Sequence, residues 1–246
     1  GGVLVGIGCL VAGMMGNSLA GFVIGFGILA GTGIGFGYAS ATPPAVKWFP
    51  PSKTGLIAGI VVAGFGLASV IWAPLATAFI AAMGISKTMM TLGVIFLIVV
   101  VILSQLLRNP PAGYVAAAAP SASAKAAPAK AAVNMEWREM MKTSQFWLLW
   151  LMYFCGAGVG LMLIGTAQKF GKAALGETNA FWIVVVLALG NAGGRVLAGS
   201  MSDRIGRQWT MFIAYVLQAV MVIALIFVKT QAVFLMLIIA MAGANY

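Results

Sequence analysis

No charged residue stands between Lys53 and Lys87 in this chain, and none precedes Lys47. Runs of that length have no face for water. About 20 apolar residues carry a helix across the hydrocarbon core of a bilayer, and only helices or closed barrels satisfy every backbone group there. The runs lack period-two alternation, which excludes a barrel. The sequence therefore predicts an all-α integral membrane protein with eight apolar segments: 1–15, 20–46, 54–82, 88–107, 145–168, 179–201, 209–228 and 230–246. Both chain ends fall inside apolar runs, so a fragment of a longer protein is expected.

Composition supports a lipid environment. Hydrophobic residues make up 62% of the chain and charged residues 7%, against about 25% charged in a soluble domain. Most of the 32 glycines lie inside the apolar runs, where small residues let helices approach closely. A net charge of +10 is scattered over short connections, which reads as membrane orientation and not as nucleic-acid binding. Nine cations fall in one set of connections: Lys47, Lys53, Arg108, Lys125, Lys130, Arg138, Lys142, Arg204 and Arg207. The other set holds four, Lys87, Lys169, Lys172 and Lys229. Basic loops favour the cytoplasm, so the first set faces inward.

The one long connection, 108–142, contains an Ala/Pro/Ser/Lys tract over 114–133 that reads as a flexible linker. Glu136-Trp137-Arg138-Glu139-Met140-Met141 follows it and reads as a short amphipathic helix at the interface. The expected organisation is a bundle over 1–107, a cytoplasmic linker over 108–142 and a second bundle over 143–246.

Few side chains carry chemistry. Histidine is absent, and the cysteines Cys9 and Cys155 sit singly in apolar segments. The acidic residues are Glu136, Glu139, Glu177 and Asp203, all outside the expected segments. No acid–base pair, nucleophile set, metal site or cofactor is implied, so the protein is not read as an enzyme. Arg195 is the one charged residue of the run 180–199. An ionised guanidinium costs about 2.5–3.5 kcal/mol at a helix centre on insertion scales. Either it snorkels to the interface, about 9 Å away if the span ends at Met201, or it faces a polar cavity. Asn191 lies four residues earlier on the same face and adds a neutral donor and acceptor. A guanidinium grips a carboxylate bidentately, as lysine cannot, so the pair suits an anionic substrate. Tyr38 ends the glycine-rich stretch Gly31–Gly37 and is either a cavity donor or an interfacial aromatic.

The stretch Gly199-x-x-x-Asp203-Arg204-x-Gly206-Arg207 resembles the loop signature of the major facilitator superfamily, in the copy between helices eight and nine. That resemblance implies helices 3–10 of twelve, in two bundles related by a pseudo-two-fold axis, with this loop as an inner gate. Three further stretches are similar to the oxalate/formate antiporter family and its bacterial lactate-type monocarboxylate transporters. They are Lys47-Trp48-Phe49-Pro50 with Gly55-Leu56-Ile57-Ala58-Gly59, then Lys142-Thr143-Ser144-Gln145-Phe146-Trp147, then Asn191-Ala192-Gly193-Gly194-Arg195. The resemblance implies that Arg195 holds the substrate carboxylate and that Tyr38 lines the same cavity. Asn191 stands where animal monocarboxylate carriers bear an aspartate.

The reading is a secondary active transporter of a small carboxylate, a lactate-like monocarboxylate moving with a proton, by alternating access. It is expected as a monomer, multi-pass in a bacterial inner membrane. Oxalate/formate-type exchange is the alternative. A drug:proton antiporter is less favoured, since span 20–46 has no arginine and 54–82 no Gly-Pro pair.

Overall fold

A computed structural model describes residues 1–16, 18–111, 113, 114, 116, 135–176 and 180–227. The expected last segment 230–246, most of the central tract, Glu177 and Lys229 lie outside the described residues. The chain divides into two compact units, Gly1–Ala116 and Ala117–Tyr246.

In the first unit, α1 spans Gly2–Met14 and α2 spans Leu19–Lys47. Ser18 caps α2, its hydroxyl accepting from the Gly21 amide at 3.3 Å. The turns of α2 widen to π-helical winding over Val23–Ala30. Helix α2 stops before Pro50, and a 3-10 turn, Pro51–Lys53, leads into the next helix. That helix, Thr54–Ser104, is broken at Gly84, with φ 79° and ψ 169°. Its two halves, 54–83 and 85–104, are α3 and α4. The sequence places the interruption at 83–87, between the expected segments 54–82 and 88–107, and the break falls within it at Gly84, because only glycine holds a positive φ without steric cost. Lys87 consequently lies in the first turn of α4, and Thr88 is buried there with its hydroxyl donating to the Gly84 carbonyl at 2.8 Å.

Helix α1 packs against both α2 and α4. Lipid supplies no hydrophobic force between helices, so close van der Waals fit must hold them. The fit comes from missing side chains. A Cβ added at Gly8 would sit 2.5 Å from the Gly25 carbonyl oxygen and the Ala30 amide nitrogen. One added at Gly93 of α4 would sit 2.9 Å from the Cys9 Cβ. Cys9, Ala12 and Ala30 fill what remains and are almost wholly buried.

The second unit holds α5 (Trp137–Met140), α6 (Ser144–Leu175), α7 (Ala180–Ile205) and α8 (Arg207–Phe227). The expected interfacial helix is thus a single exposed turn, with the Arg138 guanidinium 5.2 Å from the Trp137 ring centre. Thr143 caps α6 by accepting from the Phe146 amide at 3.4 Å. Helix α7 packs on α6 and on α8, burying Ile183, Leu187, Ala188 and Ala192. Gln218 of α8 donates to the Gly156 carbonyl of α6 at 3.1 Å, tying those two helices.

One expectation is corrected here. The charged stretch 199–207 is not a loop. Helix α7 continues through Gly199, Asp203 and Arg204 to Ile205, and Arg207 opens α8. Charge does not end a helix. The single residue Gly206, at φ 88°, does, and Thr210 fastens the corner with its hydroxyl 2.9 Å from the Gly206 carbonyl. Among the described residues, five helical stretches are long and apolar enough to cross a membrane. The Gly84 break makes two helices of one of them.

Gly25→Ala drives a methyl to within 2.6 Å of the Ala12 backbone nitrogen and should destabilise the purified transporter by about 1–3 kcal/mol. Gly64→Ala, whose new methyl meets nothing within 4 Å, should leave stability unchanged or raise it by up to about 1 kcal/mol. Paired thermal unfolding curves read the contrast; equal shifts would mean that α1 and α2 are not held by this close approach.

Candidate functional site: the Asn191–Arg195 pair

Helix α7 carries the pair. Asn191 lies on its buried stripe, one turn after Leu187, and is only 3% exposed. Arg195 is half-buried and reaches back along the helix, its Nε donating to the Asn191 Oδ1 at 2.6 Å. Helical side chains lean toward the N-terminus, so this bond follows the natural direction. It points away from the C-terminal end of α7. Helix α7 runs to Ile205, and the first charged residue after Arg195 is Asp203, eight residues or about 12 Å away at 1.5 Å per residue. Snorkelling requires the side chain to extend toward that end. Instead it turns toward the middle of the span.

A guanidinium has five N–H donors in one plane. Asn191 takes the Nε donor and thereby fixes the plane of the group, and the terminal nitrogens are the ones that form a fork for a carboxylate. Asn191 is neutral, so the pair keeps its positive charge. The glycines around it behave less uniformly than their spacing implies. A Cβ at Gly193 would meet nothing within 4 Å, and that glycine lies exposed on the helix face turned away from the pair.

Tyr38 belongs to the first unit. It is 44% exposed and stands edge-on to Phe65 of α3, ring centres 6.4 Å apart. It lines a cleft of about 520 Å³ together with Ile34, Phe65, Trp72 and Phe96. Thr42 is the other hydroxyl side chain there. The cleft is otherwise nearly apolar, so the phenol is its main hydrogen-bonding group. The structure joins Asn191 to Arg195 directly within the second unit, and Tyr38 has an apolar setting within the first.

The signature residues sit at the α7–α8 corner. Gly199 is half-buried inside α7, while Asp203, Arg204 and Arg207 are exposed. Arg204 occupies the last turn of α7, where a cation opposes the negative end of the helix dipole.

The sequence model of the major facilitator superfamily matches residues 1–246, the whole chain. This chain belongs to the major facilitator superfamily. It is accordingly a multi-pass membrane transporter protein and not an enzyme. It is 29% identical over 247 residues to the uncharacterized MFS-type transporter YhjX of Escherichia coli strain K12, covering 100% of this chain and 59% of that protein. It is 31% identical over 193 residues to the oxalate:formate antiporter of Oxalobacter formigenes, covering 78% of this chain and 44% of that protein. A shorter match, 33% over 88 residues, is to apicoplast pyruvate carrier 1 of Toxoplasma gondii, covering 36% of this chain and 16% of that protein. The chain thus spans about half the length of the first two relatives.

Sequence reasoning missed the corner device. Gly206→Ala places a side chain at φ 88°, which should cost about 1–2 kcal/mol and lower the melting temperature, whereas Gly193→Ala should not. A Gly206→Ala protein melting at the wild-type temperature would mean that the corner relaxes to another geometry.

Proposed function

We propose that this protein is a secondary active transporter of a small carboxylate, a lactate-like monocarboxylate moved with a proton by alternating access in a bacterial inner membrane. The observation that carries the reading is the 2.6 Å bond from Arg195 to Asn191, which holds an arginine fork inside an apolar helix. In this mechanism the substrate carboxylate docks on the terminal nitrogens of Arg195, with Asn191 acting through the arginine as a positioning residue. Tyr38 supplies a phenol donor from the first bundle. The corner formed by Gly199, Asp203, Arg204, Gly206 and Arg207 serves as part of the inner gate, and 108–142 as the cytoplasmic linker between bundles.

The proton has a route without a protein carrier. The four carboxylates of this sequence lie outside the run 180–202 around Arg195, and in this reading the proton travels on the substrate. Protonation weakens its grip on the fork and permits release. A second reading, exchange of one carboxylate for another, draws support from the relative named an oxalate:formate antiporter. In that mode the internal anion displaces the external one on Arg195 and no proton moves.

Arg195→Lys in the full-length transporter keeps the charge and loses the fork. It should weaken substrate affinity at least about tenfold, the scale of a hydrogen bond to a charged group, about 1.5–3 kcal/mol. Wild-type uptake by the lysine variant would remove Arg195 from the binding site. Coupling is read in proteoliposomes. Uptake of labelled lactate driven by an inward proton gradient, with nothing inside, is the symport result. Uptake that needs internal oxalate or formate and ignores the gradient would replace symport by exchange.

A further inference from the structure

Residues 1–116 hold four cations, Lys47, Lys53, Lys87 and Arg108, and no carboxylate. Three of the four gather at one end of the unit. Lys47 ends α2, Lys53 closes the 3-10 turn, and Arg108 follows α4. The chain fastens these segments together although more than fifty residues separate them. The Trp48 indole Nε1 donates to the Arg108 carbonyl at 2.9 Å. The Lys47 Nζ donates to the Asn109 Oδ1 at 3.4 Å. The Tyr114 hydroxyl donates to the Trp48 carbonyl at 3.2 Å, and the two rings meet with centres 5.2 Å apart.

This clasp turns two chain segments into one surface with two kinds of group. Lys47, Lys53 and Arg108 are exposed, and so are Leu106 and Leu107 beside them. Tryptophan and tyrosine favour the headgroup level of a bilayer. A soluble anion would use the cations and leave the leucines in water. A phospholipid satisfies both, its phosphate on the cations and its acyl chains on the leucines. Basic pockets at the ends of membrane helices bind anionic headgroups on this principle. We infer that the clasp surface is a binding site for an anionic phospholipid of the phosphatidylglycerol or cardiolipin class, its phosphate held by Lys47 and Arg108. The site does not depend on the carboxylate reading of Arg195.

The test titrates the detergent-purified full-length transporter with phosphatidylglycerol and with phosphatidylcholine, counting bound lipid by native mass spectrometry. Wild type should prefer phosphatidylglycerol. Lys47→Gln with Arg108→Gln should bind it about thirtyfold more weakly, the effect of two cations near a charged surface. Lys87→Gln, at the opposite end of α4, should bind as wild type. Should the double glutamine variant fail to fold, Trp48→Phe removes the bond to Arg108 and keeps both cations, and weaker phosphatidylglycerol binding is again expected. Wild-type affinity in these variants, or no preference between the two lipids, would overturn the site. Displacement of phosphatidylglycerol by equimolar inorganic phosphate would overturn the lipid assignment and leave a soluble-anion site.

Discussion

Helix α1 fits into the first unit only because backbone touches backbone. Gly8 on α1 meets Gly25 and Ala30 on α2, while Gly6 and Cys9 meet Gly93 and Leu97 on α4. In lipid the alternative neighbour of every apolar side chain is another hydrocarbon, so burial gives almost no preference for helix over lipid. What favours association is the number of atoms brought within van der Waals range, and each absent Cβ lets two helices approach further. This explains why, in the first unit, many large side chains face outward while Cys9, Ala12 and Ala30 are almost wholly buried. The reversal at Gly84 serves the same end by returning the chain from α3 into α4, the helix that packs on α1.

The second unit solves a different problem, a cation within an apolar helix. The guanidinium of Arg195 is held by a neutral amide, which satisfies one donor and fixes orientation without removing charge. A carboxylate in place of Asn191 would form an internal ion pair and compete with any anion that arrived. The amide therefore positions the guanidinium without adding a negative charge beside it. Pre-organised donors of this kind lower the entropic cost of binding.

Much of this was legible because apolar run length maps directly onto span length. The expected segment 20–46 corresponds to Leu19–Lys47, and 209–228 to Arg207–Phe227. The i, i+4 spacing of Asn191 and Arg195 foretold a shared face, and the bond between them lies on it. The misses have physical causes. Charges at 203–207 looked like a loop, yet a helix tolerates charged residues once it leaves the hydrocarbon, and only the positive φ of Gly206 stops it. The π-helical winding over Val23–Ala30 leaves no mark in hydropathy, because every residue there is apolar or glycine. The Trp48–Tyr114 clasp joins positions too far apart in the chain for any local pattern to reveal.

The central claim is that Asn191 acts on the substrate through Arg195. A double-mutant cycle tests it most directly, with the affinity of the full-length transporter for a labelled small carboxylate measured in wild type, Asn191→Ala, Arg195→Lys and the double variant. Groups in one hydrogen-bonded unit couple by about 0.5–3 kcal/mol, so the double variant should bind little worse than Arg195→Lys alone. Losses that add independently would contradict the claim and make Asn191 and Arg195 separate contributors.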